Sequence, residues 1–182
     1  NLVLTPQISP DGRRIAFIEY RGTQPRVYLG ELTGGPTRPL LDLDGLTFSP
    51  RFSPDGSTIL VTVASRGNSD IFAVPAAGGP ARRLTDSPAI DTSPTFHLKA
   101  VVVRPRPRGD FIAFTNIKGG NFHIGVMRPD GSDERLITRS PLDQSPCWSP
   151  NGRIILFTRE ARGGSSRLMT IDLTGYNERG VP

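Results

Sequence analysis

The sequence is poor in the groups on which most enzymes rely. It carries one cysteine, Cys147, and two histidines, His97 and His123, in 182 residues. A single thiol excludes an internal disulfide and a cysteine-based zinc site. Two histidines are too few for a histidine-rich metal centre. Lysine is almost absent: Lys99 and Lys118 stand alone among 22 basic residues, so the net charge of +5 rests on arginine. The arginines are scattered over turns and strand ends, apart from Arg104, Arg106 and Arg108. No basic stripe interleaved with stacking aromatics is present, which excludes a nucleic-acid groove from the expectation. No apolar run approaches the roughly 20 residues that span a bilayer. Gly163-Gly164-Ser165-Ser166-Arg167 lacks the second glycine of a nucleophile elbow. No glycine-rich phosphate loop joins a strand to a helix. The chain opens at Asn1 without a leader, and reads as a mature chain or a fragment. From these absences we expect no catalytic residue, no metal and no cofactor.

What the sequence has in quantity is turn residues: 20 glycines and 18 prolines, spaced regularly. The tetrapeptide SPDG begins at Ser9 and again at Ser53, 44 residues later; SPNG begins at Ser149, and a degenerate RPRG at Arg106. Each is followed by an apolar run: Ile15 to Ile18, Ile59 to Val61, Phe111 to Phe114 and Ile154 to Phe157. A second run follows a glycine-containing stretch, at Val27 to Leu29, Asp70 to Val74, Ile124 to Met127 and Leu168 to Ile171. Three units then add a short basic-apolar segment, at Arg38 to Leu41, Arg82 to Thr85 and Arg135 to Thr138. Short apolar runs rich in β-branched and aromatic residues and bounded by Gly and Pro are strands. With the segment before each tetrapeptide they make four strands per unit, and a period of 40 to 45 residues with four strands is that of a propeller blade.

We therefore expect an all-β protein, a β-propeller of about four four-stranded antiparallel blades. They divide as 1–44, 45–88, 89–138 and 139–182, either as an open arc of a six-bladed type or as a closed four-bladed ring. The third unit is a hybrid. Its own tetrapeptide and following strand are missing, and residues 97–106 look like a seam joining two repeats. Within SPDG, Pro presets φ, Asp bonds backbone two residues on, and Gly accepts positive φ, so the motif builds a hairpin between the first two strands. Asp11 and Asp55 as ligands or catalytic carboxylates is the competing reading. The equivalent positions hold Arg108 and Asn151, which a shared carboxylate chemistry would not tolerate.

Longer phrases resemble the TolB family: NLVLTP from Asn1, QPRVYL from Gln24, LTDSPAIDTSP from Leu84, NFHIGVMRPDGS from Asn121 and IDLTGYNER from Ile171. The resemblance implies a periplasmic protein of the Tol–Pal system, which maintains the cell envelope and serves division and colicin import. It also implies a propeller that binds the lipoprotein Pal. Contact with TolA belongs to the family's N-terminal α/β domain, which has no counterpart in these residues, so TolA is not expected as a partner. Neither nucleic acid nor membrane insertion is expected. The alternative is the gating propeller of a prolyl-oligopeptidase-type serine peptidase, whose catalytic domain would lie elsewhere.

Pal would meet the loops leading into the innermost strands, Gly45 to Ser49, Ala89 to Ser93 and Leu142 to Ser145. Loops on a rigid frame carry function. The candidate contacts are Thr47, Phe48, Ile90, Asp91, Thr92, Asp143 and Gln144. Thr92 matches by motif position a rim threonine of the family, whereas Leu46 stands where some members have histidine. Local backbone bonding competes with binding for the polar members of this set. Trp148 shares its repeat position with Phe52 and Phe96 and is expected in the core, which leaves Phe48 as the better aromatic anchor.

Overall fold

The computed structural model describes residues 2–41, 44–97, 110–161 and 163–182, with the backbone alone at Arg21. Two compact units are present, Asn1–Ser87 and Pro88–Pro182. The first holds a sheet of β1 (Leu2–Ile8), β2 (Arg14–Arg21), β3 (Gln24–Glu31) and β4 (Arg38–Pro39), then a sheet of β5 (Leu46–Phe52), β6 (Thr58–Ser65), β7 (Asn68–Pro75) and β8 (Arg82–Arg83). The second holds β9 (Ile90–Phe96), β10 (Ile112–Lys118), β11 (Asn121–Met127) and β12 (Arg135–Leu136), then β13 (Asp143–Trp148), β14 (Ile154–Glu160), β15 (Ser166–Asp172) and β16 (Arg179–Gly180). Every sheet is an antiparallel meander in chain order, so the sheets are blades. The apolar runs fall on the second and third strands of each blade. The basic-apolar segments become two-residue fourth strands. The seam expected at 97–106 lies, beyond His97, outside the described residues, as does the RPRG tetrapeptide.

The tetrapeptides turn the first strand of their blade into the second. In the second blade Gly56 N donates to Ser53 O at 2.9 Å, with Gly56 at φ +71°. Thr58 N donates to Ser53 Oγ at 2.9 Å, while Ser53 Oγ and Ser57 N both donate to Asp55 Oδ1. Asn151 does the same work in the fourth blade, its amide oxygen accepting from Ser149 Oγ at 2.8 Å and Arg153 N at 3.0 Å. The turn requires an acceptor, not a charge, and this explains why Asp and Asn alternate there.

Each unit buries one core between its two blades. In the first, Ala16, Ile18, Val27 and Leu29 meet Ile59, Val61 and Val74. In the second, Ala113, Ile124 and Val126 meet Trp148, Ile155, Phe157 and Ile171. Trp148 is buried in that core, as its repeat position suggested.

Candidate functional site

All four first strands carry a bulge at the same place. A Ser or Thr before proline takes a left-handed conformation: Thr5 (φ 46°), Ser49 (φ 55°), Ser93 (φ 52°) and Ser145 (φ 57°). The ladder shifts by one residue there, between Leu4 and Gln7, Phe48 and Arg51, and Gln144 and Cys147, and opposite Ala113 and Thr115. One extra residue keeps two residues five apart on one face, whereas a regular strand would send them to opposite faces. Thr47 and Phe52 thus both face the first blade.

The segments expected to be loops are, for this reason, the opening halves of strands. The bulge lets pairing continue past the Ser-Pro step: Thr47 pairs with Val63, Asp91 with Asn116 and Asp143 with Arg159. The candidate residues occupy equivalent positions. Leu46, Ile90 and Leu142 come first, with Leu46 and Ile90 exposed and Leu142 half-buried. Thr47, Asp91 and Asp143 come second and are buried. Phe48, Thr92 and Gln144 come third and are half-buried. Thr47 and Phe48 belong to the first unit. The second unit brings Ile90, Asp91 and Thr92 onto β9, which touches the strand of Asp143 and Gln144.

The buried members are held internally. Thr47 Oγ1 accepts from Val27 N at 2.7 Å, which anchors β5 to the blade before it. Asp91 Oδ1 accepts from Asn116 Nδ2 at 2.8 Å. Asp143 accepts from Arg159 through Nε at 2.6 Å and Nη2 at 2.9 Å, a two-pronged pair, and Arg159 Nη2 reaches Glu178 Oε2 at 2.9 Å. These two carboxylates hold the Arg159 proton more tightly than usual. Such pairing is what a buried carboxylate requires. Gln144 Nε2 donates to Glu160 Oε1 at 2.7 Å on the surface, and Phe48 lies partly against the core of its unit. Arg159, Asn116 and Glu160 were not among the candidates. Their signal was register, because each sits opposite or beside its partner across a hairpin.

The two histidines occupy different settings. His123 lies half-buried on β11. His97 is buried edge-on to Trp148 with ring centroids 4.9 Å apart, and its Nε2 donates to Gly152 O at 3.0 Å. It thereby ties the third blade to the turn of the fourth. Arg14 Nη2 makes the same kind of bond to Gly56 O, at 2.9 Å, in the first unit. Among the described residues no group of three or more His, Cys, Asp and Glu is placed to hold a metal ion.

Meandering four-stranded blades packed in pairs, each with a bulged first strand, define a β-propeller-type repeat protein. The chain belongs to the family of the TolB beta propeller domain, whose profile matches residues 1–103 and 99–182. It is 53% identical over 70 residues to the Tol-Pal system protein TolB of Zymomonas mobilis, a stretch covering 38% of this chain and 15% of that protein. With the Tol-Pal system protein TolB of Gluconobacter oxydans it shares 44% identity over 81 residues, 41% of this chain and 18% of that protein. Each match therefore spans less than a fifth of its relative. The structure of a putative TolB from Agrobacterium tumefaciens superposes with a TM-score of 0.78 at 26% identity, over 95% of this chain and 62% of that one. A puromycin hydrolase superposes at 0.73 and 18% identity, over 98% of this chain and 28% of that one, a likeness of fold alone.

Proposed function

We propose that this chain is a non-catalytic protein-binding scaffold of the Tol–Pal system, working in the periplasm and binding the lipoprotein Pal. Its role would then lie in envelope integrity and cell division. The observation that carries the reading is the 53% identity to a Tol-Pal system TolB. The opening halves of the first strands support it physically. At each, one residue is locked inward (Thr47, Asp91, Asp143) while its neighbours remain open (Ile90) or half-open (Phe48, Thr92, Gln144). Such a surface is rigid before a partner arrives, so little ordering entropy is lost on binding. An exposed isoleucine and a half-exposed phenylalanine would supply the apolar anchors, and the polar neighbours the specificity.

Calorimetric titration of the folded chain with the soluble domain of Pal tests the reading. Saturable binding is expected, and Ile90→Arg should weaken it at least tenfold with an unchanged melting temperature. A folded sample that shows no heat of binding overturns the Pal assignment.

A further inference from the structure

A cavity of about 390 Å³ opens between the two blades of the first unit, at the end where the tetrapeptides turn. Such a volume is that of a small-ligand pocket. Its walls include Arg14, Leu29, Glu31 and Arg38 of the first blade and Ala76 of the second, and all belong to the first unit. Arg14 lies opposite Glu31 and Leu29 opposite Arg38 across the strands, so all four stand on the face turned to the second blade, where Leu29 enters the core. Thr47 and Phe48 lie at the other end of β5 from the turn.

The second unit fills the same place with its own groups. Counted from the paired residues Ile15–Gly30 and Ile112–Met127, Phe111 stands where Arg14 does and Arg128 where Glu31 does, while Arg135 takes the place of Arg38. Phe111 is buried beneath the guanidiniums of Arg128 and Arg135, which lie 5.2 and 5.4 Å from its ring centre. Asp133, in the loop between β11 and β12, supplies a carboxylate: its Oδ2 is 3.2 Å from Arg135 Nη1 and 3.8 Å from Arg128 Nε. The matching loop of the first blade runs from Leu32 to Thr37 without an acidic residue. There the aromatic plug and the bridging carboxylate are both missing, and two guanidiniums remain.

Both guanidiniums are already positioned. Arg14 Nη2 donates to Gly56 O at 2.9 Å, with the guanidinium 5.9 Å from the centre of the Phe52 ring, and Arg38 Nη2 donates to Ala76 O at 3.1 Å. Among the described residues neither forms an ion pair, and an arginine carries five donors. Against them stands one acid, the exposed Glu31, so the pocket is net positive. We propose that this pocket binds a small carboxylate-bearing molecule, its carboxylate bridging Arg14 and Arg38 as Asp133 bridges Arg128 and Arg135. Planar guanidiniums match carboxylates in this way. The site owes nothing to the reading of the chain as a Pal binder.

Nitrogen–proton correlation spectra of the chain, titrated with succinate, test this through the side-chain Nε–Hε signals of Arg14 and Arg38. Both should shift to saturation, and sodium chloride at equal ionic strength should not reproduce the effect. Arg38→Gln should weaken binding about tenfold, the loss of a charge-assisted pair. Glu31→Gln should tighten it about threefold by removing the opposing charge. Both positions are exposed, so melting temperatures should stay at the wild-type value; if Arg38→Gln does not fold, Glu31→Gln decides alone. Shifts that never saturate, shifts that chloride reproduces, phosphate binding more tightly than succinate, or an affinity indifferent to Glu31→Gln would each overturn the proposal.

Discussion

At the scale of single residues, the sharpest constraint is the meeting of Gly152 with His97. A Cβ on Gly152 would lie 1.6 Å from His97 Nε2, and Gly152 sits at φ +61°. The histidine is wedged against Trp148 and has little room to retreat. Gly152→Ala should therefore cost about 3 kcal/mol, overpacking and left-handed strain combined. Gly56→Ala, at the same turn of the second blade, meets Pro10 Cδ only at 3.4 Å and should cost about 1 kcal/mol. Urea denaturation of both variants reads the difference, and equal losses would contradict the wedge. Asp55 offers a test in pH. Hydrogen bonds from Ser53 Oγ, Ser57 N and Ser57 Oγ lower its pKa from 3.8 to about 2. The folded value lies below the ordinary one, so the stabilisation is complete above about pH 4 and is lost as pH falls through about 2. Thermal melts of Asp55→Asn should show a shallower acid decline than wild type, because Asn keeps the acceptor without the charge. Identical acid profiles would show that the turn gains nothing from ionisation.

At the scale of elements, the bulged first strand is the device that distinguishes this repeat from a plain meander. Ser49 holds its left-handed conformation because pairing on both sides of the bulge over-determines it. Ser49→Gly should leave stability within about 1 kcal/mol of wild type, relief of strain offsetting the entropy of glycine. Ser49→Val should cost about 2 kcal/mol, since a β-branched residue fits that region worst. The comparison is read from chemical denaturation midpoints, and a harmless valine would mean that the bulge relaxes. This element was only partly legible in the sequence. The recurring Thr5-Pro6, Ser49-Pro50, Ser93-Pro94 and Ser145-Pro146 steps are visible there, but a run interrupted by proline reads as a loop until the ladder on both sides is seen.

For the whole molecule, the repeat places one candidate surface in each unit, formed by the opening halves of its first strands. Ile90 is exposed on that surface and its side chain carries none of the core, so Ile90→Arg should weaken Pal binding while the melting temperature stays at the wild-type value. Calorimetry and thermal melts on the same sample read both, and a variant that lowers both would mean that Ile90 serves the fold rather than the surface.

The sequence by itself determined the strands, the hairpin tetrapeptides and the family, because these are local patterns repeated every 44 residues or so and a repeat averages out local ambiguity. Only the tertiary structure decided which side chains of a first strand turn inward, because one bulge reverses the alternation for every residue beyond it. It also decided the partners of the buried groups. Arg159 on Asp143 is 16 residues away and Gly152 beneath His97 is 55, and a repeat period places strands without saying which side chains meet across those separations.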